Sequence, residues 1–237
     1  MVGFIIVLAV LVALIILTAI FARHFFKVVA GLWGVLFIVV IILGVFLYLD
    51  IQDLNKNFEK GSKIILLKQN DQIISGFRLE DNKKSTFFRS IDEYGNAYQA
   101  KNYAKLKGDA YKLLIAEKEL FKEVDYVDVI NYPVDRETLF AYLNEQQPRK
   151  KAAQYVAEEN GIPEELVMDQ IKKEFSTEDE FKGYLFAKIV GKALEGKGPN
   201  YVVRAYKAGL VEVYPETITF TVIDFLPQWI FDKLFEA

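Results

Sequence analysis

Apolar positions are distributed very unevenly along the chain. Residues 2–22 carry no charged side chain, Arg23-His24-Phe25-Phe26-Lys27 interrupts, and residues 28–49 are again uncharged. A helix needs roughly 20 apolar residues to cross the hydrocarbon of a bilayer, and each run supplies them. The short polar break leaves room only for a tight turn. The pattern predicts a transmembrane helical hairpin over residues 1–50, a linker or helical extension over 51–62, and a folded domain over 63–237. The fold class expected is membrane-anchored α+β. The domain has a sheet-rich part (63–132), a helical part (133–209) and a C-terminal strand with an apolar helix (210–237).

Within the domain, Lys63–Leu67 and Gln72–Phe77 flank Asn70-Asp71 and read as a β-hairpin. Asp81–Lys84 reads as a turn before a strand over Thr86–Ile91. Ala97–Lys107 is expected to be a helix stopping at Gly108, and Tyr111–Ile115 and Tyr126–Ile130 to be strands, with Pro133 closing the pattern. Asp135 is placed to cap a helix over Arg136–Asn144. Two further helices, Arg149–Glu159 and Glu164–Phe175, are joined through Gly161, with Pro163 in the first turn of the second. Ser176-x-x-Asp179 resembles a capping pattern and opens a longer helix with Phe181, Leu185, Ile189 and Leu194 on one stripe. Asn200–Ala208 is a short helix and Leu210–Tyr214 a strand. Thr217–Ile223 alternates, with Ile218, Phe220 and Val222 on one side, and reads as a strand. Phe225–Glu236 is a very apolar helix. It either docks on the core or lies on the bilayer with Trp229 at headgroup level.

Charge fixes an orientation for the hairpin. Arg23 and Lys27 are the only charged residues among the first 49, and short basic turns stay in the cytoplasm. Both termini and the domain are thus expected outside the cytoplasm, in a multi-pass protein of the cell membrane; the rival places the domain inside. A cleaved signal peptide is the alternative for the first run, which lacks a basic leader and a small-residue cleavage site. Trp33 and Tyr48 lie near opposite ends of the second run, where aromatic rings anchor at interfaces. Neither run contains Asp, Glu, Lys, Arg, Asn or Gln, so the hairpin reads as an anchor and not as an ion path.

Beyond residue 49 the chain has 27 basic and 32 acidic residues, a net of −5, which is no footprint for nucleic acid. There is no cysteine, and the single histidine, His24, lies in the hairpin turn. Thiolate chemistry and a Ser-His-Asp triad are therefore excluded from the domain, and no cofactor or metal site is expected. Asp125 and Asp128 are spaced to meet a cation or to form a solvated face. Ser62, Ser75, Ser85, Ser90 and Ser176 are the domain's hydroxyl nucleophiles, none in a defining motif. Tyr94, Tyr98, Tyr103 and Tyr111 crowd eighteen residues, either as a contact surface or as half-buried packing.

Two resemblances remain. Ala157, Gly161 and Val167 are spaced as in a helix-turn-helix, but Glu164, Glu165 and Asp169 occupy the helix that would have to meet phosphates. Gly161-Ile-Pro-Glu-Glu-Leu-Val-Met-Asp-Gln-Ile-Lys-Lys-Glu174 is similar to the helix leading into the catalytic glutamate of lytic transglycosylases. That resemblance implies Glu174 as a general acid. Phe175 stands where that family has serine, and no later Gly-x-Met-Gln follows. The function expected is a membrane-anchored interaction or accessory subunit, its partners the lipid bilayer and another protein. The alternatives are a carboxylate-based envelope hydrolase and a cytoplasm-facing regulator.

Overall fold

The computed structural model describes residues 18, 21, 29, 32–42, 44–46, 48–50, 52–53, 56–57, 60–81, 84–197 and 200–235. The chain forms two compact units, Met1–Ile51 and Gln52–Ala237. In the first, α1 (Leu32–Asp50) has a mean hydropathy of 2.9 and the length to cross a membrane. Most of the expected first run, and the turn with Arg23, His24 and Lys27, lie outside the described residues. The described side chains of α1 are almost all exposed, Trp33 and Tyr48 among them.

The second unit is mixed α/β. Among the described residues its strands are β1 (Lys63–Gln69), β2 (Gln72–Leu79), β3 (Ser85–Phe87), β4 (Lys112–Glu117), β5 (Tyr126–Val129), β6 (Tyr132–Asp135) and β7 (Val211–Tyr214). Five of them make one sheet in the order β3-β2-β1-β4-β7; β5 and β6 pair separately. Only β1 and β4 run parallel, and β7 returns antiparallel to β4 as an edge. The hairpin turn between β1 and β2 forms because Asn70 and Asp71 both take positive φ, 50° and 58°, which these short polar side chains tolerate. A bulge at Leu67/Lys68 keeps both buried sets facing inwards.

The sheet has two covered faces. Ile64, Leu66, Leu113 and Ile115 meet Ala97 of α2 (Asp92–Gln99) and Leu106 of α3 (Tyr103–Lys107). Ile65, Leu67, Phe77, Leu114, Ala116, Val211 and Val213 meet the larger core. That core is built from α4 (Arg136–Asn144), α5 (Pro148–Asn160), α6 (Glu164–Glu174), α7 (Glu178–Leu194), α8 (Asn200–Lys207) and α9 (Ile218–Phe225). A last helix, α10 (Gln228–Phe235), follows Pro227. Local signals start the helices where chemistry allows. The Asp135 carboxylate accepts from the Thr138 N–H at 3.0 Å, and Pro148 opens α5, where its missing N–H costs nothing. Gly161 closes α5 in the left-handed region at φ 63°.

Several expectations are corrected. The single helix expected over Ala97–Lys107 is two, α2 and α3, parted where Lys101 takes φ 54° and the Asn102 side chain caps the second. The strand over Thr86–Ile91 ends at Phe87. Pro133 does not end the strand pattern: it sits in β6 opposite Asp128, on a two-stranded ribbon that leaves its missing donor facing away. The cap of α7 is one residue later than expected. Thr177 accepts from the Glu180 N–H, and Glu180 accepts from the Thr177 N–H. Leu194 leaves the buried stripe and is 37% exposed. Thr217–Ile223 is not a strand. It belongs to α9, where Thr219, Phe220 and Ile223 bury at helical spacing, while Ile218 faces solvent. Alternation over seven β-branched and aromatic residues did not separate the two periods. The apolar C-terminal helix starts at Gln228, because Pro227 parts it from α9. Of the stretch over 51–62, expected as a linker or helical extension, residues 52–53 and 56–57 are helical; Asp53 accepts from the Tyr111 hydroxyl at 2.7 Å, and the Tyr111 N–H donates to Ser62 O at 2.8 Å.

Candidate functional site

Alternation in β7 sorts its side chains. Val211 and Val213 point into the large core, so Glu212 and Tyr214 point to the opposite face, beside Ile115 and Leu113 of β4. The helices on that face, α2 and α3, pack on β1 and β4 and leave the edge at β7 open. The uncovered strip is an open cleft of about 440 Å³. Its floor is Leu113 and Ile115. Tyr103 and Tyr214 form one wall, stacked with ring centroids 5.7 Å apart. The edge of β7 and Tyr206, Glu216 and Asp224 form the other.

An ion network closes one end. Lys68 of β1 reaches Glu117 at 2.8 Å and Glu212 at 2.6 Å, and the Tyr98 hydroxyl donates to Glu212 at 3.3 Å. Burial pulls the Lys68 pKa down, but the hydrogen bonds to Glu117 and Glu212 outweigh it and leave the group above its ordinary value. Burial pushes the Tyr98 and Tyr103 phenols up. At neutral pH both are therefore uncharged donors.

The other end is more acidic. The Tyr206 hydroxyl lies against Glu216 Oε1 and is 3.0 Å from Asp224 Oδ2. Burial and these two carboxylates hold the phenol protonated. One phenol has one proton to donate, so only one of the two carboxylates can receive it. The nearby lysines are engaged elsewhere. Lys207 Nζ donates to the carbonyls of Ile223, Asp224 and Leu226, and Lys112 Nζ to that of Pro215. The cleft thus presents aromatic faces and carboxylate oxygens, the chemistry that receives an ammonium or guanidinium group.

The residues singled out from sequence are scattered. Glu174 is the exposed last residue of α6 and lines none of the hollows described. The α5–Gly161–α6 unit exists, with Val156, Val167 and Ile171 buried as in any packed helix pair. Asp125 and Asp128 line different shallow hollows, and no group of three metal-binding side chains occurs among the described residues. Ser62 accepts from Arg78, Ser90 from the Asp92 N–H, and the Ser75 hydroxyl is buried without a partner. Trp229 is 64% exposed on α10. Of the tyrosines, Tyr94 stacks on Phe88, Tyr103 lines the cleft, and Tyr98 packs edge-on against Tyr103. Glu212, Tyr214, Tyr206, Glu216 and Asp224 were not anticipated. The valine alternation of β7 does put Glu212 and Tyr214 on one side, but nothing local says that α8 and α9 bring Tyr206 and Asp224 beside them, or that Glu216 in the connection to α9 meets Tyr206.

No family model, curated protein or solved structure matches the chain. Function is therefore read from the cleft and the apolar helix themselves.

Proposed function

We propose that this protein is a membrane-anchored interaction module. Residues 1–50 form a two-helix anchor with Arg23 and Lys27 on the cytoplasmic side, and the α/β domain presents its recognition surface outside. The observation that supports this best is the sequence of parts. An apolar helix long enough to span a bilayer precedes, in the chain, a folded domain with a tyrosine-walled, acidic cleft on a sheet edge. Trp33 and Tyr48 anchor the helix at the two interfaces.

Gentle solubilisation of membranes followed by affinity purification of the full chain tests the reading. A companion protein in fixed ratio is the expected result; a chain that emerges alone under several mild detergents overturns it. A reporter fused after Ala237 checks the side. Activity outside the cytoplasm is expected, and activity inside overturns the orientation.

A further inference from the structure

The cleft contains something an ordinary surface hollow lacks: one wall is the unpaired edge of a β-strand. In the β4–β7 ladder Glu117 stands opposite Leu210, and the Glu117 N–H donates to Leu210 O at 2.9 Å. An antiparallel pair alternates, so Ile115–Glu212 and Leu113–Tyr214 are also bonded pairs, with the backbone groups of Glu212 and Tyr214 turned to β4. The N–H and C=O groups of Val211 and Val213 then point away from β4, towards the open side. Among the described residues no strand lies beyond β7, and no backbone bond of the turns and caps ends on either valine. Both valines line the cleft, as do Glu212, Glu216 and Asp224.

We propose that this edge takes an extended basic segment of a partner protein as a sixth strand. This deepens the interaction reading and rests on it. Geometry sets the register chemistry. Guest residues opposite Val211 and Val213 turn their backbone groups to β7 and their side chains to the valine face, so they are small or β-branched. Guest residues opposite Glu212 and Tyr214, and the next one outward, put their side chains on the tyrosine face. There they meet Glu212 and the Tyr103 and Tyr214 rings, while Glu216 and Asp224 stand across the cleft beside Tyr206. Lysine or arginine fits these positions. A cation beside Tyr206 supplies the donor that its single proton cannot give to both carboxylates. Main-chain bonds give such docking its affinity and the alternate side chains its selectivity.

The probe is the fluorescein-labelled peptide Lys-Val-Lys-Val-Lys-Val-Lys, titrated into the full chain in neutral detergent and read by anisotropy. Three results are expected. Binding weakens about tenfold in the E216Q/D224N double variant, because two exposed charge pairs are lost. Methylation of the valine nitrogens abolishes binding, whereas methylation of the lysine nitrogens does not, because only the valine N–H groups face β7. The Val211 and Val213 amides gain protection from hydrogen exchange on binding. Equal binding of the two methylated peptides overturns strand addition. So does binding without protection at those two amides. Self-association of the chain through β7 would assign the edge to a second copy instead. If none of the peptides binds while a companion still co-purifies with the full chain, the basic-strand assignment fails alone; if no companion co-purifies either, the interaction reading falls with it.

Discussion

The ammonium of Lys68 lies 2.6 Å from the carboxylate of Glu212, although the two residues belong to strands separated by β4. The contact joins the hairpin half of the sheet to its C-terminal edge strand on the face that forms the cleft. Only 11% of the lysine side chain is exposed, against 41% of the glutamate, so the lysine is the member that burial makes dependent on its partners. Lys68→Met is expected to cost about 2 kcal/mol, the scale for a hydrogen bond to a charged group. Glu212→Gln is expected to cost less, because Glu117 remains on Lys68. Urea midpoints followed by circular dichroism check the order. The folded pKa of Lys68 is raised, so its contribution is complete below the ordinary lysine value of 10.5 and is lost only as pH rises through the higher folded value. The difference between wild type and Lys68→Met therefore holds across neutral and mildly alkaline pH.

Two glycines of α7 should respond oppositely to the same substitution. A Cβ on Gly183 would lie 2.8 Å from the Gly76 carbonyl oxygen and 3.2 Å from the Phe87 Cβ, so the helix would have to lift from β2 and β3. Gly183→Ala is expected to destabilise by about 2 kcal/mol. A Cβ on Gly191 meets nothing within 4 Å. Gly191→Ala is expected to stabilise by about 0.5–1 kcal/mol through helix propensity alone. A shift of both urea midpoints in the same direction would contradict the close packing of α7 on the sheet.

These cases show what the linear chain reveals. Asp135, Pro148 and Gly161 act within three residues of themselves, so their roles at helix ends were legible. Asn70-Asp71 marked its hairpin for the same reason. The ambiguous stretch was Thr217–Ile223, whose threonines and valine suit a strand, and only burial of Phe220 and Ile223 against α8 and the core decides for a helix. The cleft was hidden for another reason. Lys68, Tyr103, Glu212 and Asp224 come from four elements and meet only because β4 pairs in parallel with β1 and so leaves an edge for β7. A parallel pairing with a long crossover leaves no local mark.

The anchor makes a prediction that separates its two helices. With residues 1–27 removed, α1 alone is expected to keep the chain in the carbonate-washed pellet, because its 19 residues match the hydrocarbon thickness. Adding Ile38→Lys and Ile41→Arg places two charges near its centre, at about 3 kcal/mol each on the insertion scale. The protein should then move to the supernatant. In the full chain the same pair of substitutions should leave the protein membrane-bound if residues 2–22 form a second span. Release from the full chain as well would mean that α1 is the only anchor.

Acid stability gives the most local prediction. The Asp135 carboxylate accepts from the Thr138 N–H at the start of α4, and these bonds to Thr138 hold its pKa below the ordinary carboxylate value. A depressed folded pKa contributes stability above the unfolded value and loses it as pH falls through the folded one. Asp135→Ala is expected to cost about 1 kcal/mol at neutral pH, the usual worth of a helix cap. Asp135→Asn, which keeps the acceptor without the charge, should recover most of that. In strong acid the wild-type carboxyl is protonated and its advantage over alanine shrinks. The urea midpoints of the wild type and Asp135→Ala should therefore separate at pH 7 and converge in acid, while those of Asp135→Asn and Asp135→Ala keep a constant offset. A gap to alanine that persists unchanged in acid would mean that Asp135 acts through its shape and not through its charge.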